Sequence, residues 1–141
     1  MATRFSALLD LNVILDVLQR RQPFYETSAR VLALAETGVI EGLVSAHSIT
    51  TLFYLYAKAQ SASEARIAIT ELLQFLSVAT VAQKTIEQAL ALPYKDFEDA
   101  VQMVAALHAT ADYVVTRNIA DFKLGPLPAI LPAELLALLS D

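Results

Sequence analysis

Five residues, Phe5 to Leu9, form a largely apolar run too short for a helix, and Asp10 stops it before a helical pattern begins. Such a run reads as a strand buried on both faces, and strands of that kind belong to parallel sheets covered by helices. After it, Asn12 is placed to cap a helix carrying Val13, Val17 and Leu18, which ends near Arg20 and Arg21 ahead of Pro23. A second helix is predicted from Tyr25 to Thr37, with Ala29, Leu32, Ala33 and Glu36 in register and Gly38 as its left-handed cap. Leu43 to Ser45 reads as a strand, followed by a helix from Ser48 to Gln60 with Leu52, Tyr56 and Ala59 in register. Another helix is predicted from Ser63, its N-cap, to Leu76, with Ile67, Leu72 and Phe75 facing inward.

The alternation continues to the end of the chain. Val78 to Val81 reads as a third strand, and a helix from Gln83 to Leu92 stops before Pro93. Asp96 opens a helix that runs through Val101, Val104 and Leu107 to Ala109, and Tyr113 to Val115 reads as a fourth strand. Ile130, between Pro128 and Pro132, marks a fifth, with a closing helix from Ala133 to Leu139. Strands alternating with helices predict an α/β fold with a central parallel sheet of four to five strands covered on both faces.

With 141 residues, 56% of them hydrophobic and 18% charged, the chain suits one ordered core, so residues 1–141 are expected to form a single domain. The longest uncharged run, Gly42 to Ala57, holds a histidine and several hydroxyls and is shorter than the ~18 apolar residues of a membrane span. Asp10 and Asp16 interrupt the N-terminal apolar stretch, so a cytoplasmic location away from membranes is expected. The absence of cysteine, with two well-separated histidines at 47 and 108, excludes disulfide scaffolds, thiol catalysis and the usual zinc spacings. Any metal must be held by oxygen. Three glycines, at 38, 42 and 125, build neither a Walker loop nor a dinucleotide turn. A net charge of −5 argues against a protein that coats nucleic acid, though less against a nuclease whose carboxylates are offset by a cation.

In open parallel sheets ligands bind beyond the carboxyl ends of the strands, which directs attention to Asp10, the 45–51 segment and the 116–121 segment. Asp10 is either a metal ligand at the sheet rim or a polar strand terminator, and Asp16, one turn later, faces solvent or the site. In Asp96-Phe97-Glu98-Asp99, Asp96 can cap the helix and Asp99 suits the positive end of its dipole. The functional reading joins Asp99 to Asp10, with Glu98 as a secondary candidate. Thr116, Asn118 and Asp121 shape a turn or serve the site, and Arg117 is a phosphate anchor, a solvated side chain or a partner for Asp121. His47 lies on the same edge as a structural or phosphate-contacting residue, and His108 reads as a packing residue.

The order of these signals is more specific than any one of them. Asp10-Leu11-Asn12-Val13-Ile14-Leu15-Asp16, then Asp96-Phe97-Glu98-Asp99-Ala100, then Thr116-Arg117-Asn118-Ile119-Ala120-Asp121-Phe122 together resemble the PIN domain family, over nearly the whole chain. The likeness is strongest to stand-alone bacterial PIN proteins, many of them VapC-like toxins of toxin-antitoxin pairs. It implies a three-layer α/β/α fold and an acidic pocket for Mg²⁺ or Mn²⁺, in which Asp10, Asp99 and Asp121 are the metal-site acids supported by Thr116 and Asn118. It further implies an RNA substrate, a cognate antitoxin and a homodimer; the apolar faces of the helices at 25–37 and 48–60 serve either that dimer or the core. One position departs from the pattern: the family usually offers a glutamate where this chain has Thr51.

The chemistry expected is therefore metal-dependent endoribonuclease activity. Thr51 and the acidic balance favour an alternative, a catalytically impaired PIN protein that binds RNA or protein without cutting. A haloacid dehalogenase-type phosphatase would need a second aspartate where Asn12 stands, and a receiver domain would need a lysine after a late strand.

Overall fold

The computed structural model describes residues 4–140. Residues 1–3 and 141, which the single-domain expectation includes, lie outside the described residues. Strand β1 (Phe5–Leu9) leads into helices α1 (Leu11–Leu18) and α2 (Tyr25–Glu36), then β2 (Ile40–Ser45), α3 (Ala46–Ala59) and α4 (Ala62–Leu72). There follow β3 (Leu76–Ala79), α5 (Gln83–Leu90), α6 (Phe97–His108), β4 (Tyr113–Val115), a 3-10 turn (Ile119–Phe122), β5 (Ala129–Ile130) and α7 (Pro132–Leu139). The strands pair in parallel throughout, in the order β3-β2-β1-β4-β5.

Alternation along β1 builds the three layers, because successive side chains leave a strand on opposite faces. Ala7 and Leu9 pack with Ile14, Val31, Leu52 and Leu135 from α1, α2, α3 and α7. Leu8 points the other way, into a cluster with Met103 of α6, Val114 and Phe122. Each fully buried leucine or isoleucine here contributes about 1.5–3 kcal/mol through removal from water. The chain lays β2 and β3 to one side of β1 and β4 and β5 to the other, so the winding reverses between β1 and β4. A reversal of this kind opens a crevice at the carboxyl ends of the two strands.

Several local expectations shift. Helix α1 is capped at Asp10, not Asn12, which sits inside its first turn. In α2 the buried face is Ser28, Val31, Leu32 and Ala35, while Ala33 and Glu36 are exposed. Gly38 does adopt the left-handed conformation (φ 81°) after that helix. Helix α4 starts two residues earlier than Ser63 implies: Ser61 is the N-cap and accepts a hydrogen bond from the Glu64 amide at 3.0 Å. It also ends at Leu72, because the chain must turn to enter β3 at Leu76, and Ile67 lies on its outer face, 54% exposed.

Candidate functional site

Register brings the first parts of the site together. Leu9 of β1 pairs with Val115 of β4, so the residues that follow, Asp10 and Thr116, leave the sheet side by side at the crevice. Both are buried. The Thr116 hydroxyl donates to Asp10 Oδ2 at 2.9 Å and accepts from the Asn118 backbone N–H at 3.0 Å. Asp10 Oδ1 accepts from Gln102 Nε2 at 3.0 Å, while Gln102 Oε1 accepts from the Leu11 N–H at 3.2 Å. That pair of contacts fixes the amide's orientation, since a carboxylate requires a donor and a backbone N–H an acceptor. Burial pushes the Asp10 carboxyl above its ordinary range, opposed by these hydrogen bonds, by the Asn12 backbone and by the Arg117 charge.

Helix α6 supplies the next carboxylate. Asp96 caps the helix, accepting from the Glu98 N–H at 2.9 Å, and Asp99 stands in the first turn, where the exposed backbone N–H groups favour negative charge. Gln102, one turn later, reaches Asp99 Oδ1 at 3.5 Å, the outer limit of a hydrogen bond, and so links Asp99 to Asp10. Asp99 is pushed up to about 7 by burial and then by the charges of Asp96, Asp10, Asp121 and Glu98. Among the described residues its carboxylate takes part in no ion pair.

A cleft of about 640 Å³ opens in front of this group, with Asp96 and Asp99 on one wall and Asp121 on the other. Asp10 is buried, does not line the cleft and is joined to Asp99 through Gln102. Asp121, exposed on the 3-10 turn, donates its backbone N–H to the Asn118 carbonyl at 3.0 Å. Among the described residues no three Asp, Glu or His side chains stand close enough to ligate one ion together. The donor set nevertheless fits a hard cation held by one or two carboxylates and completed by water: all its atoms are oxygen, and among the described residues Asp99 has no cationic partner of its own.

The sequence matches the profile of the PIN domain over residues 6–120. The chain belongs to the PIN domain family. Its fold is similar to a chain in the structure of a VapBC pair from Rickettsia felis bound to a DNA fragment from their promoter. There the identity is 17% and the TM-score 0.65, covering 90% of this chain and 98% of that one. A toxin-antitoxin complex from Klebsiella pneumoniae is similar at 22% identity and TM-score 0.68, covering 89% and 97%. A sarcin-ricin loop cleaving VapC toxin from Mycobacterium tuberculosis is similar at 16% identity and TM-score 0.62, covering 77% and 86%. No curated protein sequence matches the chain.

In this PIN domain the remaining candidates are dispersed. Arg117 does not pair with Asp121. Its Nε and Nη2 donate to Asp16 at 2.9 and 3.3 Å, and its guanidinium carbon lies 4.0 Å from the Phe24 ring centroid. Asp16 is fully buried, so it faces neither solvent nor the cleft. Thr51 is half-buried on α3 and does not line the cleft. Glu98 and His47 line a neighbouring hollow with Asp96. There His47 Nδ1 meets Ser45 Oγ at 2.6 Å, and burial pulls the imidazole below its usual range, opposed by Glu98. Gln102 is the residue that the reading of the sequence missed. Its signal was present: a lone amide amid the buried Ala100–Ala106 stretch of α6, one turn after Asp99.

Proposed function

We propose that this PIN domain is a metal-dependent endoribonuclease and the toxin half of a toxin-antitoxin pair. The observation that carries the reading is the pairing of Asp99 with the buried Asp10 through Gln102 at the winding reversal of the sheet, with Asp99 raised to near neutral pH by burial and then by the neighbouring carboxylates. Mg²⁺ or Mn²⁺, when bound, would supply Lewis acidity toward a phosphodiester. Asp10 and Asp99 would hold the ion. Gln102 and Thr116 fasten one oxygen of Asp10 each and so prevent its carboxylate from rotating, while the Asn118 N–H keeps the Thr116 hydroxyl turned toward it. Asp121, across the cleft, would orient the attacking water. A cation must displace the Asp99 proton, so its affinity should rise as pH passes through about 7.

The likeness to VapBC and other toxin-antitoxin complexes supports an antitoxin partner. The test is cleavage of structured RNA by purified protein with Mg²⁺ or Mn²⁺, halted by EDTA. Asp10→Asn should lower the rate at least ~100-fold while the variant remains folded, as expected when an interaction of the reacting state is removed. Equal cleavage by wild type and variant would refute the assignment.

Thr51, with the absence of a ready three-acid cluster among the described residues, favours a second reading in which the protein binds RNA or a protein without cutting. Calorimetric titration of Mn²⁺ into Thr51→Glu separates the two. Tighter binding with gained activity marks Thr51 as the lost acid, and unchanged binding removes that argument.

A further inference from the structure

The cleft carries more than its carboxylates. Lys95, just ahead of the α6 cap, and Lys123, just after the 3-10 turn, are exposed and line opposite walls of the cleft that holds Asp99 and Asp121. Two arginines are committed elsewhere: Arg117 pairs with the buried Asp16, and Arg21 approaches the same carboxylate at 4.0 Å. The two lysine-bearing walls are held at a fixed spacing. Tyr94 Oη donates to the Phe122 carbonyl at 2.9 Å, and the two rings meet edge-on with centroids 6.1 Å apart. Gly125 makes room for this strut, because a Cβ there would stand 2.2 Å from Tyr94 Oη and 2.6 Å from Met103 Cε. The phenol is pushed up to about 12, chiefly by burial, so it remains a donor across the physiological range.

A volume of about 640 Å³ is large enough for a nucleotide. On a protein of net charge −5, a polyanion must be drawn in by local cations that flank the acids. We propose that a single RNA strand crosses the site along this cleft, with its phosphates on Lys95 and Lys123 to either side of Asp99 and Asp121. The inference rests on the nuclease reading and adds the path of the substrate and the residues that grip it. Lys95 and Lys123 act in binding, so their loss should raise KM and leave kcat nearly unchanged.

The experiment is anisotropy of a labelled mixed-sequence single-stranded RNA of about 12 nucleotides, titrated in Ca²⁺ buffer at several salt concentrations. The paired variant Lys95→Ala/Lys123→Ala should bind about tenfold more weakly, and its log–log salt slope should flatten by about 1.4, the loss of two single-strand phosphate contacts. Lys95→Arg/Lys123→Arg should restore both. Lys58→Ala/Lys84→Ala, exposed on α3 and α5, should stay within about twofold of wild type. If the cleft pair binds with the wild-type slope, or the control pair weakens binding as much, the path runs elsewhere and only this inference fails. If wild-type protein neither binds nor cuts RNA, the nuclease reading fails with it.

Discussion

Two carboxylates, Asp16 and Asp99, lie close to the same sheet edge and are treated oppositely by the fold. Asp16 is fully buried, yet its charge is matched by a two-point contact from Arg117, itself stacked on Phe24. Asp99 is only partly buried, faces four other acids and has no ion-pair partner among the described residues. Burial alone therefore does not decide which acid is structural. What decides it is whether the chain brings its own counter-charge, and where it does not, the site is left for a cation from solution.

The sharpest way to break that contrast is to remove the counter-charge from Asp16. Arg117→Met should cost about 3–5 kcal/mol in chemical denaturation, because a buried carboxylate is left unpaired with Arg21 only at 4.0 Å. Asp16→Leu combined with Arg117→Met should recover most of the loss, as expected when a buried pair is replaced by apolar groups. A loss below about 1 kcal/mol for the single variant would mean that water reaches Asp16, and the contrast would fail.

Gln102→Leu comes next. It strips a donor from Asp10 Oδ1 and an acceptor from the Leu11 N–H, both buried, and should cost about 2–3 kcal/mol. It should also raise the Asp10 carboxyl further, shifting the metal-binding profile to higher pH. Calorimetry at several pH values checks both outcomes.

Neutralising Asp99 should have the opposite sign. Its carboxyl titrates near the ordinary 3.8 when unfolded and near 7 when folded, so between those values the folded state holds the extra proton. Stability contributed by that proton is present below about 4, falls as pH rises, and is gone above about 7. Asp99→Asn should therefore stabilise the metal-free protein above pH 7. The full shift corresponds to about 4 kcal/mol, which partial exposure to solvent reduces to about 1–2. The gain should vanish toward pH 4, and Mg²⁺ should stabilise wild type but not the variant. A gain that persisted at pH 4 would trace to something other than charge.

How much of this was legible in the chain follows from the range of the forces involved. β1 and β4 could be read because short apolar runs closed by polar residues have few other meanings, and Asp96 because a cap is a local device. The inward face of α2 was misjudged because Ser28 is buried and Ala33 is not, and small residues carry little hydropathy contrast. The ion pair of Asp16 and Arg117 spans 101 positions, beyond any rule of local spacing, and Arg117 was equally compatible with its near neighbour Asp121. Gln102 escaped because an amide inside a helix has no charge to draw attention, although its burial gives it more contact with Asp10 than any of the acids has.

The smallest effect separates capping from electrostatics at Asp96, which does both. Its side chain satisfies the Glu98 N–H at the start of α6, and its charge is the largest of the neighbouring charges holding Asp99 high. Serine caps a helix about as well as aspartate but carries no charge, so Asp96→Ser should change stability by less than about 0.5 kcal/mol. With the charge gone, the Asp99 carboxyl should titrate measurably below 7 while remaining above its ordinary value, because burial, the larger cause, is untouched. A carboxyl-detected NMR titration reads this directly. Were the Asp99 midpoint unmoved, its elevation would belong to burial alone, and the acidic crowding that distinguishes it from Asp16 would lose its role.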